Sequence, residues 1–362
     1  MPACPRIVLF LVRVITSKYG IKSAITPIVT PVKRFLRLVL RNLALSWIRK
    51  GIWVMAEVVH TPVLLEQTLE YLAPRGRNEI LVDATMGEGG HSHAFLSRFP
   101  DLSVVGVDVD PVIQAAAKKR LAEFGGRVRF FSGWAQDFFA SADCGQPDTV
   151  LADLGISRFH YEASGRGFSF SGDERPDMRL DISRGVSAAE LLAQKPEWEI
   201  ADILYKNAEE RFSRRIARAI VQERQRGTIA TAAALAELVS RAVPPSYRHG
   251  PIHPATRTFM ALRIAVNGEL SRLPNLLEGA LRILKPGGRL GIISFHSLED
   301  RIVKRFFKMK NHCSCPPETP SCECGGRRSV NILTPKGVTA GEEEIMKNPP
   351  SRGARLRVAE KL

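Results

Sequence analysis

Three stretches of this chain carry residue types that ligand chemistry requires. Asp83–Ser92 reads DATMGEGGHS. Its glycines, Gly87, Gly89 and Gly90, permit positive φ and let backbone approach a ligand closely. Asp108 follows about 20 residues beyond that turn, where a carboxylate accepts both ribose hydroxyls of an adenosine. The competing reading of Asp108 is a strand-end helix cap. Asp153 lies in ADLGIS (152–157), at the end of an apolar run over the crevice where such sheets bind ligands. Either it holds a ligand amino group or approaches the substrate nucleophile, or it is a buried cap. The turn lacks Gly-Lys-Ser/Thr, which argues against triphosphate binding. It also departs from the dinucleotide fingerprint. S-adenosylmethionine carries no phosphate, so it suits a turn that offers backbone contacts and room for a sulfonium.

A second constellation is Cys313-x-Cys315 with Cys322-x-Cys324. Two such pairs gather four thiolates around one structural Zn²⁺, or they are reduced cysteines in a polar tail. Cys4 and Cys144 stand alone. Without a clear secretory signal, a disulfide framework is not expected.

These residues need elements to position them. An apolar strand precedes the glycine turn, and a helix follows it. Leu102–Asp108 reads as a second strand. Residues 111–124 read as a helix with Pro111 in its first turn. Val128–Phe131 and Thr149–Leu154 read as strands three and four. This alternation predicts an α/β, Rossmann-like doubly wound parallel sheet. Residues 158–182, rich in Gly, Arg, Ser and Asp, read as an ordered loop, and about 187–242 as helices. The arginines at 211, 214, 215 and 218 fall on a different helix face from the apolar positions 212, 216, 219 and 220. They form either an RNA-facing surface or a solvated face. A helix from about His253 to Asn267 leads back to the sheet. A strand spans Leu290–Ser294, and Ser297–Asp300 resembles a capping box. The expected division is a basic extension (1–56), a sheet domain (57–174 and 250–310), a helical insertion (175–249) that recognises RNA, and an irregular tail (311–362).

The 362 residues carry a formal net charge of +15. Residues 1–56 hold ten Lys/Arg and no Asp or Glu, leaving +5 for residues 57–362. The extension is a targeting peptide, a membrane-surface helix, or a dispensable segment with Met55 as the working start. No stretch reaches the roughly 18–20 uninterrupted apolar residues of a membrane span. No membrane partner and a cytoplasmic location are expected.

Seven ordered motifs carry a resemblance. They are HTPVLL (60–65), DATMGEGGHS (83–92), RGFSF (166–170), DMRLD (177–181), EERF (209–212), HPATRTF (253–259) and SFHSLEDR (294–301). Over about residues 57–362 the chain resembles the bacterial ribosomal small-subunit methyltransferase H family. The resemblance implies a class I S-adenosylmethionine-dependent methyltransferase fold with an inserted helical domain. It also implies methylation of N4 of a cytidine in the decoding region of 16S ribosomal RNA, with the small subunit as partner. Carried over by motif, cofactor contacts fall on Gly89, Gly90, His91, Asp108, Trp134, Asp153 and His160. His91 is otherwise a surface cap, Trp134 ordinary core and His160 a loop residue. Asp153 is the catalytic candidate, although Asp153-Leu154-Gly155-Ile156 replaces the Asp/Asn-Pro-Pro-aromatic motif of many amino-methyltransferases. Arg166, Arg179 and Arg257 are candidates for phosphate or base contacts, or for salt bridges within the loop. A non-catalytic RNA-binding assembly factor that retains the fold is the alternative; the glycine turn, Asp108 and Asp153 favour the enzyme.

Overall fold

The computed structural model describes residues 62–141, 145–170, 172–227, 229–312 and 328–362. The basic extension and the Cys313–Cys324 cluster, with its expected zinc, lie outside these residues. The described chain begins with α1 (Leu65–Tyr71), then alternates β1 (Ile80–Asp83), α2 (Gly90–Arg98), β2 (Ser103–Asp108), α3 (Pro111–Arg120), β3 (Val128–Ser132), α4 (Ala135–Ala140) and β4 (Thr149–Asp153). The short helix α5 (Arg158–Glu162) follows. Helices α6 (Ala188–Gln194), α7 (Glu197–Ala208), α8 (Ser213–Arg226), α9 (Ala232–Ala242), α10 (Pro245–Arg248) and α11 (Thr256–Asn267) come next. The chain returns through α12 (Glu269–Ile283), β5 (Arg289–Ser294) and α13 (Ser297–Lys310). It closes with β6 (Val330–Ile332), β7 (Val338–Thr339), α14 (Glu342–Lys347) and β8 (Arg355–Lys361).

The sheet order is β3-β2-β1-β4-β5-β8-β6, with β7 also on β8. Strands β1 to β5 pair in parallel, and β8 enters antiparallel to β5. This is the class I methyltransferase arrangement that the alternation and the resemblance predict. Strand β4 is apolar and buried along nearly its whole length, as expected for a strand covered on both faces. One face packs Phe139, Leu277 and Phe307, and the other Leu64, Phe95 and Leu121. Each such side chain, fully buried, contributes roughly 1.5–3 kcal/mol by leaving water. Strand order reverses between β1 and β4, which opens a crevice at their carboxyl ends.

The tail needs correction: residues 330–361 are not irregular but supply three strands. In β8, Leu356 and Val358 are fully buried in the sheet's core. Arg355 and Arg357 disguise this strand as a polar segment. Arg357 is only 4% exposed, because its guanidinium donates to both carboxylate oxygens of Asp300 on α13, at 2.6 and 3.1 Å. A buried charge paired this closely holds the strand to the helix.

The helices form a second core, in which Ile200 and Leu204 of α7, Ile216 and Ile220 of α8 and Leu235 of α9 are fully buried. The helix expected to lead back to the sheet, α11, packs instead against α7 of this core. Phe168 and Met178 from the preceding loop join it. Asn267 fastens that loop: its side chain accepts from Leu180 N–H and donates to the Met178 carbonyl, both at 2.8 Å. Helix α13 starts one residue earlier than expected. His296 is its N-cap, and Glu299 accepts from the Phe295 and His296 N–H groups at 2.8 and 3.4 Å. Among the described residues, no helix is long and apolar enough to cross a membrane.

Candidate functional site

The glycine turn is held between its neighbouring strands. Ala84 N–H donates to the Leu151 carbonyl at 2.8 Å and Met86 N–H to the Val107 carbonyl at 2.9 Å. Thr85 extends its hydroxyl to accept the Asp153 N–H at 2.7 Å. Gly87 (φ 56°) and Gly89 (φ 76°) adopt the left-handed backbone that glycine tolerates. Two chambers open around this turn, and they share Thr85, Gly87, Gly155, Ile156 and Ser157 as a common wall.

The first chamber is a cleft of about 900 Å³, counting the solvent at its mouth. Asp108 sits on its floor at the end of β2 and accepts N–H groups of Gly87 and Asp110, each at 2.8 Å. Burial raises its pKa against those bonds and against the nearby His160, with Asp110 adding repulsion. Trp134, the N-cap of α4, forms a side wall. The Arg272 guanidinium lies 4.3 Å from the Trp134 ring centroid, a cation–π contact. Ile113, Leu154, Leu273 and Leu276 complete an apolar lining. His160 borders the chamber, buried, with Nε2 at 3.1 Å from Asp110 Oδ2.

The second chamber is a cleft of about 1000 Å³, again counting the solvent at its mouth. Gly90, His91, Asp153, Tyr161, Arg263 and Phe295 are among the residues that line it. His91 Nε2 donates to the Val63 carbonyl at 3.0 Å, and its Nδ1 lies 3.8 Å from Asp153 Oδ2. The ring is therefore a buried wall rather than a surface cap. Phe295 approaches Gly155 so closely that a Cβ there would lie 2.6 Å from the ring. Burial pushes the Asp153 carboxyl up to about 7; the Gly155 N–H opposes this, and Asp83 and Glu299 add repulsion. Asp83 is fully buried and accepts from Ser92 Oγ at 2.6 Å. Burial raises it to about 6, against the bonds from Ser92 and the Thr85 backbone.

The expected cofactor contacts thus divide between adjoining chambers. Asp108, Trp134 and His160 border the first, and Gly90, His91 and Asp153 the second. Gly89 borders neither. It is the left-handed N-cap of α2, and a Cβ there would come within 3.1 Å of Leu121. The donor set fits S-adenosylmethionine. An apolar chamber with an aromatic wall and a carboxylate at the end of β2 suits adenosine. Carboxylates crowded beside the second chamber suit a sulfonium and an ammonium.

The three arginines expected at RNA have internal partners. Arg166 donates through Nη1 to Asp110 at 2.7 Å and to the carbonyls of Arg179 and Leu180 at 3.2 and 3.1 Å; its side chain is 12% exposed. Arg179 forms a fork on Asp177, with two contacts of 2.7 Å. Burial opposes the charge on Asp177, but the Arg179 bonds outweigh it and lower its pKa. Arg257 donates to the carbonyls of Ala208 and Glu209 at 3.3 and 3.2 Å, capping the end of α7. The loop salt-bridge reading therefore describes Arg179, whereas Arg166 pairs with Asp110 outside the loop and Arg257 is a helix cap. In contrast, Arg211, Arg214, Arg215 and Arg218 are exposed.

Sequence reasoning missed Asp110, Arg263, Glu269 and Arg272. Asp110 is 1% exposed and is the centre of a buried network. Burial works against its charge, but bonds from His160, Arg166 and the Val112 N–H prevail and hold its pKa down at about 2. Its signal was the Asp108-Val109-Asp110 repeat, read only at its first member. Arg263 and Arg272 lie in ordinary amphipathic helix patterns, which carried no signal.

A sequence model described as the MraW methylase family matches residues 57–362. The chain is 54% identical over 307 residues to the Ribosomal RNA small subunit methyltransferase H of Treponema denticola, covering 84% of this chain and 98% of that protein. It is 45% identical over 307 residues to the protein of that name from Syntrophobacter fumaroxidans, covering 83% and 96%. It is 43% identical over 309 residues to the one from Heliobacterium modesticaldum, covering 84% and 98%.

Proposed function

Because the chain belongs to the MraW methylase family, we propose that it methylates the N4 amine of a cytidine in the 16S RNA of the small ribosomal subunit, in the cytoplasm. When bound, S-adenosylmethionine would supply an electrophilic methyl group on its sulfonium, the C–S bond breaking to leave a neutral thioether as the N–C bond forms. The observation that carries the reading is Asp153, a carboxyl held at about 7 in the lining of the second chamber, two residues before Gly155 of the shared wall. In this reading Asp108 takes the ribose hydroxyls and Trp134 packs on adenine. Gly90 and His91 border the amino-acid end. The Tyr161–Arg263–Phe295 side of the second chamber receives the base.

A cytosine amine is a weak nucleophile because its lone pair is delocalised into the ring. Asp153 accepts one N4–H, aligning the nitrogen and drawing electron density toward it. As the new N–C bond forms, the nitrogen becomes cationic, and Asp153 takes the departing proton. A carboxyl near 7 does both: ionised it accepts, and protonated it releases to solvent close to neutral pH. The target base has to leave its stack to reach so enclosed a group. The exposed Arg211, Arg214, Arg215 and Arg218 supply a cationic surface for the RNA backbone.

The test is to incubate the full chain with small subunits from cells lacking this activity and isotopically labelled cofactor. After nuclease digestion to oligonucleotides, tandem mass spectrometry should find the label as N4-methylcytidine in a single fragment. Label on a ring carbon, on a ribose, or on protein would overturn the proposal.

A further inference from the structure

The second chamber contains a cation that the methyl-transfer account does not use. Arg263 lies on α11, with its side chain 12% exposed. Its Nε and Nη2 donate to the two oxygens of Glu269 at 2.9 and 2.8 Å, and its Nη1 donates to Tyr161 Oη at 3.1 Å. A guanidinium has five N–H groups. Three are engaged here, leaving one on each Nη without a partner among the described residues. Burial opposes the charge, but Glu269, Tyr161 and Glu299 more than offset this and keep the group cationic. The carboxylate of Glu299 acts on both Arg263 and Asp153. The cation and the carboxyl both line this chamber.

A guanidinium with two N–H groups to spare and a carboxyl, lining one chamber, supply the donors and the acceptor that a base-reading site needs. The pairing edge of cytosine runs from a donor amine to two acceptors, N3 and O2. Asp153 meets the amine, so the adjacent group has to donate twice and accept nothing. Uracil presents an N3–H, which would point at the guanidinium. Adenine presents N1 but only a C–H beside it. Phe295, packed on Gly155 in the same wall, offers an aromatic surface for the extruded ring. We propose that Arg263, held in orientation by Glu269 and Tyr161, is the specificity-determining residue that reads N3 and O2 of the target cytosine. This inference rests on the function proposed above.

The experiment uses the full chain and reconstituted small subunits carrying either cytidine or 3-deazacytidine, which lacks the N3 acceptor, at the target position. Wild type and Arg263→Gln are each measured on both substrates. Removing one partner of a bidentate contact should lower kcat/KM about ten- to a hundredfold. The loss from Arg263→Gln should be clearly smaller on 3-deazacytidine than on cytidine, because the N3 half of the contact is already gone and only O2 remains. Cofactor affinity by calorimetry should stay unchanged, which separates base reading from loss of fold. If Arg263→Gln does not bind cofactor, Arg263→Lys, which keeps the charge but not the fork, and Tyr161→Phe take its place. Independent losses that multiply, or a variant within about threefold of wild type on cytidine, where the contact predicts a larger drop, would overturn the inference. Failure of wild type to form N4-methylcytidine on the control subunits would overturn the proposed function instead.

Discussion

Replacing Asp153 with asparagine should raise stability and abolish turnover together. In the fold its carboxyl titrates at about 7 instead of 3.8, with burial the main cause. That difference of about three units corresponds to about 4 kcal/mol between the two protonation states. Between pH 3.8 and 7 the folded chain keeps a proton that the unfolded chain has lost. The contribution of Asp153 to stability therefore falls as pH rises through that window and remains unfavourable above it. Asparagine keeps the shape and an oxygen for the Gly155 N–H, 3.5 Å away, but cannot ionise. We expect the cofactor-free variant to unfold a few degrees higher than wild type at about pH 8, with little difference at about pH 4. Loss of the proton acceptor should lower kcat about 10²- to 10⁴-fold. Wild-type kcat should climb with pH and level off above about 7, and the residual rate of the variant should lack that limb. Calorimetric melting and single-turnover methylation across pH read both effects. A variant that melts lower at every pH, or that turns over within about threefold of wild type against the drop expected of an acid–base group, would refute this reasoning.

The other predictions concern the cofactor chamber and the RNA surface. Asp108→Ala should weaken cofactor binding by about 1.5–3 kcal/mol, through loss of a charged acceptor; calorimetry on the folded variant checks this. Asp110→Asn keeps an acceptor for Val112 N–H but loses the ionic tie to Arg166. It should speed amide exchange across residues 158–184 and weaken cofactor binding about tenfold, as expected for loss of a charge-assisted bond. Since the Asp110 pKa is lowered to about 2, its stabilisation is present above about pH 4 and disappears as pH falls toward 2. Exchanging Arg214 and Arg215 for glutamate should weaken small-subunit binding, reduce its dependence on salt and leave cofactor affinity intact; filter binding across a salt series measures this.

Local signals in the sequence determined the parallel half of the sheet. Short apolar runs separated by glycine turns and helix starts place β1, β2, β3 and β4 without reference to distant residues. The carboxylates at strand ends, Asp108 and Asp153, were legible for the same reason: in such a sheet the end of a strand is also the edge of the crevice. What remained hidden depended on partners far away in the chain. Strand β8 reads as polar until Asp300 is seen to neutralise Arg357, 57 positions earlier. Arg166 reads as an RNA contact until the fold brings Asp110 against it across 56 positions. Arg263 is one basic residue in an amphipathic helix until Tyr161 and Phe295, 102 positions before it and 32 after it, enclose it. A charge announces its type in the sequence, but whether it faces water, a carboxylate or a ligand depends on desolvation and pairing, which only tertiary contacts set.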